Sequence, residues 1–177
     1  LRESAIAFPQ TGEQQGEVGI AKLENLRRQV LLVRAAVPDS QPLRVPPDDS
    51  WCSLKRRTGW LSLRGRDSLA STFDQSLIAR RLQHFRARAE TRMSFQPANF
   101  KQAAGLIAYY DRFHYHYLRV TAAGPGRIKI GVISSENQKA SRFEVVELPI
   151  DTGQDLRLAV EIDHTDLRFF WAAGDGG

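Results

Sequence analysis

The sequence predicts an all-β domain, an antiparallel β-sandwich, from two observations. From Trp51 onward, apolar and polar residues alternate with the period of two that half-buried strands show. Turn-forming segments interrupt this alternation at intervals of roughly 10 to 15 residues, and hardly any stretch has a helical period. A chain of 177 residues with 42% hydrophobic and 25% charged residues is large enough for one domain with a real core.

The clearest predicted strand runs from His84 to Phe95. Its apolar face carries Phe85, Ala87, Ala89, Thr91, Met93 and Phe95. Its other face carries His84, three arginines, Glu90 and Ser94. In a helix these charges would circle the whole surface, so the segment is predicted to be a strand with one dry face.

Further strands follow from the same alternation. They are predicted at residues 60–64, 104–110, 128–132, 143–148, 156–162 and 167–171. The turn segments "AAGPG" (122–126) and "DHTD" (163–166) separate pairs of these strands, as expected for hairpins.

The stretch "GLIAYYDRFHYHYLRV" (105–120) predicts a hairpin, two strands joined by "DRF". His114 and His116 share one face of the second strand, and Tyr115 and Tyr117 share the other. Three interpretations stay open: a metal site, tyrosines that stack on a sugar ring, or a sheet surface rich in aromatic residues. A metal site needs a third ligand, and the spacing of the remaining histidines supplies none, so no metal is predicted.

The first part of the chain lacks this pattern. Residues 1–42 are predicted to be a linker or remnant, irregular or partly helical, because Leu23, Leu26 and Val30 have a loosely helical spacing. The proline-rich "PDSQPLRVPPDD" (38–49) must be extended or looped. The sandwich domain is therefore predicted over residues 43–177.

No catalytic or cofactor-binding motif emerges. There is no glycine-rich phosphate loop, no zinc-binding helix motif and no serine elbow, so no catalytic residue and no cofactor is predicted. The net charge of +5 and the arginine-rich 79–92 raise the possibility of nucleic-acid binding, but the outward face of that segment lacks aromatic residues to stack bases. Arginine and glutamate on that face can instead pair across strands, and a solvated or domain-facing sheet surface is favoured, so no nucleic-acid partner is predicted.

No apolar run approaches the roughly 18 residues that span a bilayer, so no membrane contact is predicted. Cys52 is the only cysteine, which excludes an intrachain disulfide. With no recognisable leader, this favours a cytoplasmic protein.

Three segments in order carry a family resemblance: "GWLSLRGRDSLAS" (59–71), "QSLIARRLQHFRARAETRMSFQP" (75–97) and "AGLIAYYDRFHYHYLRV" (104–120). Together they resemble the C-terminal domain of beta-xylosidases in glycoside hydrolase family 43. The resemblance covers about residues 43–177, and "LRESAIA" (1–7) is similar to the segment that follows the catalytic domain in that family. It implies a concanavalin A-like (jelly-roll) sandwich joined to an N-terminal five-bladed propeller.

The resemblance also implies a parent enzyme that removes xylose, or arabinose, from xylo-oligosaccharides by an inverting mechanism with two carboxyl groups. Those acids belong to the propeller, and none maps onto this chain.

Two departures from the family pattern stand out. "LRRQVLLVRAAVPDSQP" (26–42) has no counterpart, which suggests a shifted coding frame within residues 8–42. The family sandwich also continues past "LRFFWAAGDGG", so we expect an incomplete sandwich with unpaired strand edges.

We therefore expect an accessory domain that packs against the propeller and is not catalytic alone. The candidate domain-interface or sugar-facing residues are Arg80, Arg81, Gln83, Tyr115 and Tyr117. The alternatives are an independent lectin-like carbohydrate-binding module and a purely structural or homo-oligomer-forming sandwich.

Overall fold

The fold is seen in a computed structural model that describes residues 14–22, 30–31, 41–42, 45–69, 71–136, 139–149 and 155–173. These residues form strands, turns and loops, and none of them is in a helix. The strands are β1 (Gln14–Lys22), β2 (Val30–Leu31), β3 (Gln41–Pro42), β4 (Cys52–Ser53), β5 (Ser62–Leu63), β6 (Ile78–Arg81), β7 (Arg86–Met93), β8 (Ala103–Asp111), β9 (His114–Gly124), β10 (Arg127–Glu136), β11 (Lys139–Pro149), β12 (Leu156–Asp163) and β13 (Asp166–Ala173).

Two sheets make up most of the molecule. The small sheet has four strands in the order β1-β13-β12-β7, and the large sheet has seven in the order β11-β10-β9-β8-β2-β6-β3. All of their neighbouring strands are antiparallel. Strands β4 and β5 form a separate two-stranded hairpin. This arrangement confirms the predicted antiparallel β-sandwich.

The hydrophobic core lies between the two sheets, because alternate residues of each strand point inward. The large sheet contributes Leu106, Ala108, Leu118, Val120, Ile128, Ile130 and Val132. The small sheet contributes Ala89, Leu156, Leu158, Val160, Ile162, Leu167, Phe169 and Trp171. The predicted apolar faces of 128–132 and 156–162 are thus the inner faces of β10 and β12.

A second, smaller apolar cluster lies on the outer face of the large sheet. Leu77, Ile107 and Tyr109 form it, with Leu69, Tyr115 and Tyr117 packed around them. Leu69 belongs to the loop of residues 66–69 and 71–77, which packs on this face through Leu69 and Leu77. The side-chain amide of Gln75 donates hydrogen bonds to the carbonyl oxygens of Leu69 and Ser71, both at 2.6 Å, and so holds the loop closed.

The two sheets are aligned so that their turns meet at the same ends. The short connection 82–85 takes the chain from the end of β6 to the start of β7, so those strand ends are neighbours. The β8–β9 turn and the β12–β13 turn lie at this same end, because Arg81 is in register with Tyr109 through Val30 and Arg86 is in register with Asp163. We call it the histidine end, defined by residues 82–85, 111–116 and 163–166.

Most predicted strands are confirmed, with bounds that differ by a few residues. The predicted strand at 60–64 shortens to β5, Ser62–Leu63. The largest difference is at residues 14–22, which are expected to be irregular or helical and instead form β1, paired with β13 on either side of an irregularity between Glu17 and Ile20. Of the loosely helical 23–37, only Val30 and Leu31 are described, and they form a strand; residues 23–29 and 32–37 lie outside the described part. The division of the chain at residue 43 stays a prediction.

Candidate interaction site at the histidine end

All four histidines of the sequence lie at the histidine end of the sandwich. His84 belongs to the exposed connection 82–85, and His164 to the β12–β13 turn. His114 and His116 begin β9. Histidine, aspartate and aromatic side chains are common in binding sites, and their concentration at one end makes it the candidate functional region.

The β8–β9 turn is built around Asp111. Its Oδ1 accepts hydrogen bonds from the backbone amides of Phe113 (2.7 Å) and His114 (2.8 Å) and contacts Nδ1 of the His114 ring at 2.9 Å. Burial by itself raises the pKa of the Asp111 carboxyl, but these hydrogen bonds outweigh it and hold the pKa below its ordinary value. The carboxylate therefore serves to shape the turn.

His116 is buried on the inner face, next to the apolar core. Its Nδ1 lies 2.9 Å from the hydroxyl of Ser134 on β10, the residue directly opposite in the sheet. Burial lowers the pKa of His116, and the smaller influence of Glu136 raises it. The imidazole is therefore held neutral over a wider pH range than a free histidine.

The contacts that His114 and His116 make test the interpretation of this strand as a metal site. His114 and His116 do share a face of β9, but each ring nitrogen Nδ1 contacts a neighbour, Asp111 for His114 and Ser134 for His116. Across the described ranges, no group of three or more His, Cys, Asp or Glu side chains is arranged to hold a metal ion.

The β12–β13 turn carries an aromatic pair. The ring of His164 lies nearly parallel to the ring of Phe85, with an interplanar angle of 12° and 6.1 Å between centroids. The backbone amide of His164 donates to the carbonyl oxygen of Phe85 at 2.7 Å, which ties the turn to the 82–85 connection. Both side chains are exposed, Phe85 by 55% and the His164 side chain by 60%.

A carboxylate and a guanidinium flank this pair. Oδ1 of Asp163 accepts from Nε of Arg86 (2.8 Å) and lies 2.7 Å from Nδ1 of His164. The hydrogen bonds from His164 and Arg86 lower the pKa of Asp163, which stays ionised. Because an ionised carboxylate only accepts hydrogen bonds, Nδ1 of His164 carries the proton in this contact.

The predicted candidates Arg80 and Arg81 lie on opposite faces of β6. Arg81 is in register with Tyr109 and Tyr115 and shares their outer face, whereas Arg80 is in register with Ala108 on the inner face. Arg81 is exposed and Arg80 is half-buried. Gln83, which follows the strand, is also exposed. The two arginines therefore do not share a surface.

Tyr115 and Tyr117 do share the outer face, as predicted. Tyr115 lies nearly parallel to Tyr109, with centroids 6.4 Å apart, and both tyrosines pack on the outer cluster. Burial raises the pKa of the Tyr117 hydroxyl above its ordinary value, and the Arg119 charge lowers it by less. Much of each ring is therefore occupied by protein contacts.

The arginine-rich strand β7 forms cross-strand ion pairs on the outer face of the small sheet, as predicted. Arg86 pairs with Asp163, Arg88 with Glu161 at 3.5 Å, and Arg92 with the buried Asp155 at 2.7 Å. These carboxylates neutralise part of the positive charge that suggested nucleic-acid binding.

In the part of the chain that is described, no helix is long and apolar enough to cross a membrane.

Comparison with known proteins identifies the family. The family model for the beta-xylosidase C-terminal concanavalin A-like domain matches residues 38–177 of this chain. An Escherichia coli (strain K12) protein named as a beta-xylosidase is 42% identical over 139 residues, covering 76% of this chain and 26% of that protein. Xylosidase/arabinosidase 43B of Humicola insolens is 38% identical over 138 residues, again 76% of this chain and 26% of that protein.

A solved structure supports the same fold. The xylan beta-1,4-xylosidase of Bacillus halodurans C-125 superposes with a TM-score of 0.73 at 32% identity, over 80% of this chain and 27% of that enzyme. The chain thus spans about a quarter of the length of the relatives it matches. The residues, the strand topology and the matches agree that the chain belongs to the family of beta-xylosidase C-terminal concanavalin A-like domains.

Proposed function

We propose that this chain is the accessory β-sandwich of a glycosidase that releases xylose or arabinose from xylo-oligosaccharides, and that it supports a separate catalytic domain, expected to be a five-bladed propeller. The observation that carries the proposal is the family match over residues 38–177, in a chain that spans about a quarter of its xylosidase relatives. The catalytic carboxyl groups are then expected outside this chain.

Two carboxyl groups at the histidine end, those of Asp111 and Asp163, support the assignment of catalysis to a separate domain. A general acid in glycoside hydrolysis needs a raised pKa to remain protonated near neutral pH. The pKa values of Asp111 and Asp163 are instead lowered by the hydrogen bonds that each carboxylate accepts. Neither carboxyl group is therefore suited to act as a general acid.

Arg81 and Gln83 are proposed as contacts with the catalytic domain because both are exposed at the histidine end. Arg80 is proposed to act less directly, since it is half-buried on the inner face. Tyr115 and Tyr117 would support this surface from beneath, through the outer cluster.

A chimera tests the proposal. In the Bacillus halodurans xylosidase, the matched 27% of the enzyme would be replaced by this chain, and hydrolysis of 4-nitrophenyl β-xyloside would be measured. We expect activity in the chimera, little in the enzyme with that part deleted, and none in this chain alone. Release of nitrophenol by the isolated chain would overturn the proposal, as would a deleted enzyme as active and stable as the intact one.

Within the chimera, Arg81→Glu tests the interface. We expect a lower thermal stability of the catalytic domain, because a reversed charge at a contact repels its partner. Lys101→Glu is the matched control, an exposed charge reversal next to the start of β8 at the opposite end of the sandwich. Equal effects of the two variants would count against Arg81 as a contact.

A further inference from the structure

We propose that Phe85 and His164 form a second, non-catalytic binding platform for a neutral xylo-oligosaccharide chain. The inference rests on the proposed function for the choice of sugar, but not for the existence of the platform. Four side chains make up the platform: the rings of Phe85 and His164 and the polar groups of Asp163 and Arg86.

The apolar part of the platform is the exposed outer surface of two stacked aromatic rings. The two rings differ in orientation by 12°, and each is more than half exposed. A sugar ring presents a face of C–H groups that buries apolar area against such a surface.

The polar part supplies the hydrogen-bonding groups that a sugar's hydroxyls need. Asp163 is ionised and offers carboxylate oxygens, and Arg86 offers the N–H groups beyond the Nε that it donates to Asp163. Because Asp163 and Arg86 carry opposite charges in contact, a neutral ligand suits the platform better than an ionic one.

The platform is held in place before any ligand binds. His164 has a φ of 57°, in the left-handed region, and the hydrogen bonds of its amide to Phe85 and of its ring to Asp163 fix it there. A side chain held in this way loses little conformational entropy on binding.

The platform lies beside Gln83, one of the proposed contacts with the catalytic domain, because Gln83 and Phe85 belong to the same connection, 82–85. A xylan chain bound to Phe85 and His164 would therefore lie next to the catalytic domain in the complete enzyme.

Binding of xylohexaose to the full 177-residue chain, measured by isothermal titration calorimetry, tests the platform. We expect weak binding that falls at least about fivefold in Phe85→Ala, since loss of one stacking face removes most of the contact. Phe100→Ala is the matched control, because Phe100 is equally large, 71% exposed and at the opposite end of the sandwich. It is expected to bind as the unchanged chain does.

His164→Asn is the second variant, chosen because it removes the ring without disturbing the fold. Asparagine tolerates the left-handed φ of this position, so the turn is retained while the ring is removed. We expect unchanged thermal unfolding and a similar loss of affinity.

Three outcomes would overturn the platform: no binding of xylohexaose, equal binding in Phe85→Ala and Phe100→Ala, or sedimentation showing that Phe85 instead mediates self-association of the chain. The two proposals can fail separately. An inactive chimera combined with Phe85-dependent binding would remove the accessory role and keep the platform. An active chimera combined with binding indifferent to Phe85 would do the reverse.

Discussion

The two faces of the large sheet are both covered, but in different ways. The inner face carries aliphatic residues such as Leu106, Leu118 and Val120, all fully buried against the regular strands of the small sheet. The outer face carries Ile107, Tyr109 and the half-buried tyrosines of β9, and an irregular loop crosses it. The same strands therefore build one face mainly from apolar packing, with the buried His116–Ser134 hydrogen bond at the histidine end, and the other from packing plus hydrogen bonds to a loop.

The two faces of the large sheet differ because another sheet covers the inner face and a loop covers the outer face. A sheet satisfies its own backbone hydrogen bonds and needs only apolar alternation to pack on another sheet. A loop leaves backbone carbonyl groups to be satisfied, and here the amide of Gln75 and the guanidinium of Arg66 supply donors to the carbonyl oxygens of the loop. The outer cluster should therefore depend more on polar residues than the inner core does.

The largest effect is expected where the outer face leaves no room for a side chain. A Cβ at Gly105 on β8 would collide with the carbonyl oxygen of Leu118 and lie 3.1 Å from Cα of Arg119, both on the backbone of β9. Gly105→Ala must therefore push the two strands apart, and we expect a loss of at least about 3 kcal/mol in the free energy of unfolding.

Urea unfolding followed by tryptophan fluorescence measures this loss. Gly124→Ala is the control, because a Cβ there meets no atom within 4 Å, and it should change stability by less than about 0.5 kcal/mol. Equal midpoints for the two variants would mean that β8 and β9 are not packed as closely as described.

Two neighbouring residues on β9 allow the stability contributions of the two faces to be compared directly. Leu118 points into the inner core and is fully buried, whereas Tyr117 is half-buried on the outer face. We expect Leu118→Ala to cost about 3 kcal/mol and Tyr117→Ala roughly half as much, because less area returns to water on the outer side. Urea unfolding of both variants gives the ratio, and a larger loss for Tyr117 would reverse the ranking of the faces.

The loop itself provides a smaller, local effect. Gln75→Ala removes two buried donors from the carbonyl oxygens of Leu69 and Ser71, and about 1 to 2 kcal/mol of stability should be lost with them. Trypsin should then cleave faster after Arg66, at the start of the loop, with β9 still protected. Gln83→Ala changes an exposed glutamine and serves as the control; equal cleavage in both variants would remove the role given to Gln75.

How far the sequence predicts this molecule depends on whether a feature is local. The inward faces of β7, β10 and β12 follow from alternation within each strand, since period two decides which side chains share a face. The cross-strand arginine pairs of β7 also follow, because acids and arginines alternate on matching faces. Residues 14–22 were not predicted as a strand: their pattern is weak, and pairing with β13, far away in sequence, is what orders them.

The platform was not predicted for the same reason. Arg86 and Asp163 are separated by 77 positions, and only the pairing of β7 with β12 brings them together. The sequence marked "DHTD" as a turn and Phe85 as an apolar-face residue, but it contained no signal that the two would meet. Likewise, adjacent arginines such as Arg80 and Arg81 invite treatment as one patch, although consecutive strand residues always point to opposite faces.

The smallest predicted effect concerns a polar residue on the otherwise apolar inner face. Burial lowers the pKa of His116 below the ordinary 6.5, so the unfolded chain binds a proton at a pH where the folded chain does not. Stability from this group is therefore complete above about pH 6.5 and is lost as the pH falls through the folded pKa, by about 1.4 kcal/mol for each unit of depression. Asp111 also has a lowered pKa, but it acts in a separate window below 3.8.

Urea midpoints between pH 8 and pH 5 measure the loss, with His116→Gln as the comparison. The glutamine keeps a hydrogen-bonding partner for Ser134 and cannot titrate, so its stability should change less over this range. Glu136 acts in the opposite direction by raising the His116 pKa, and Glu136→Gln should therefore deepen the loss at low pH. If the unchanged chain gained stability on acidification and His116→Gln did not, the imidazole would be charged in the fold, and the inner face would tolerate a cation that its aliphatic neighbours cannot solvate.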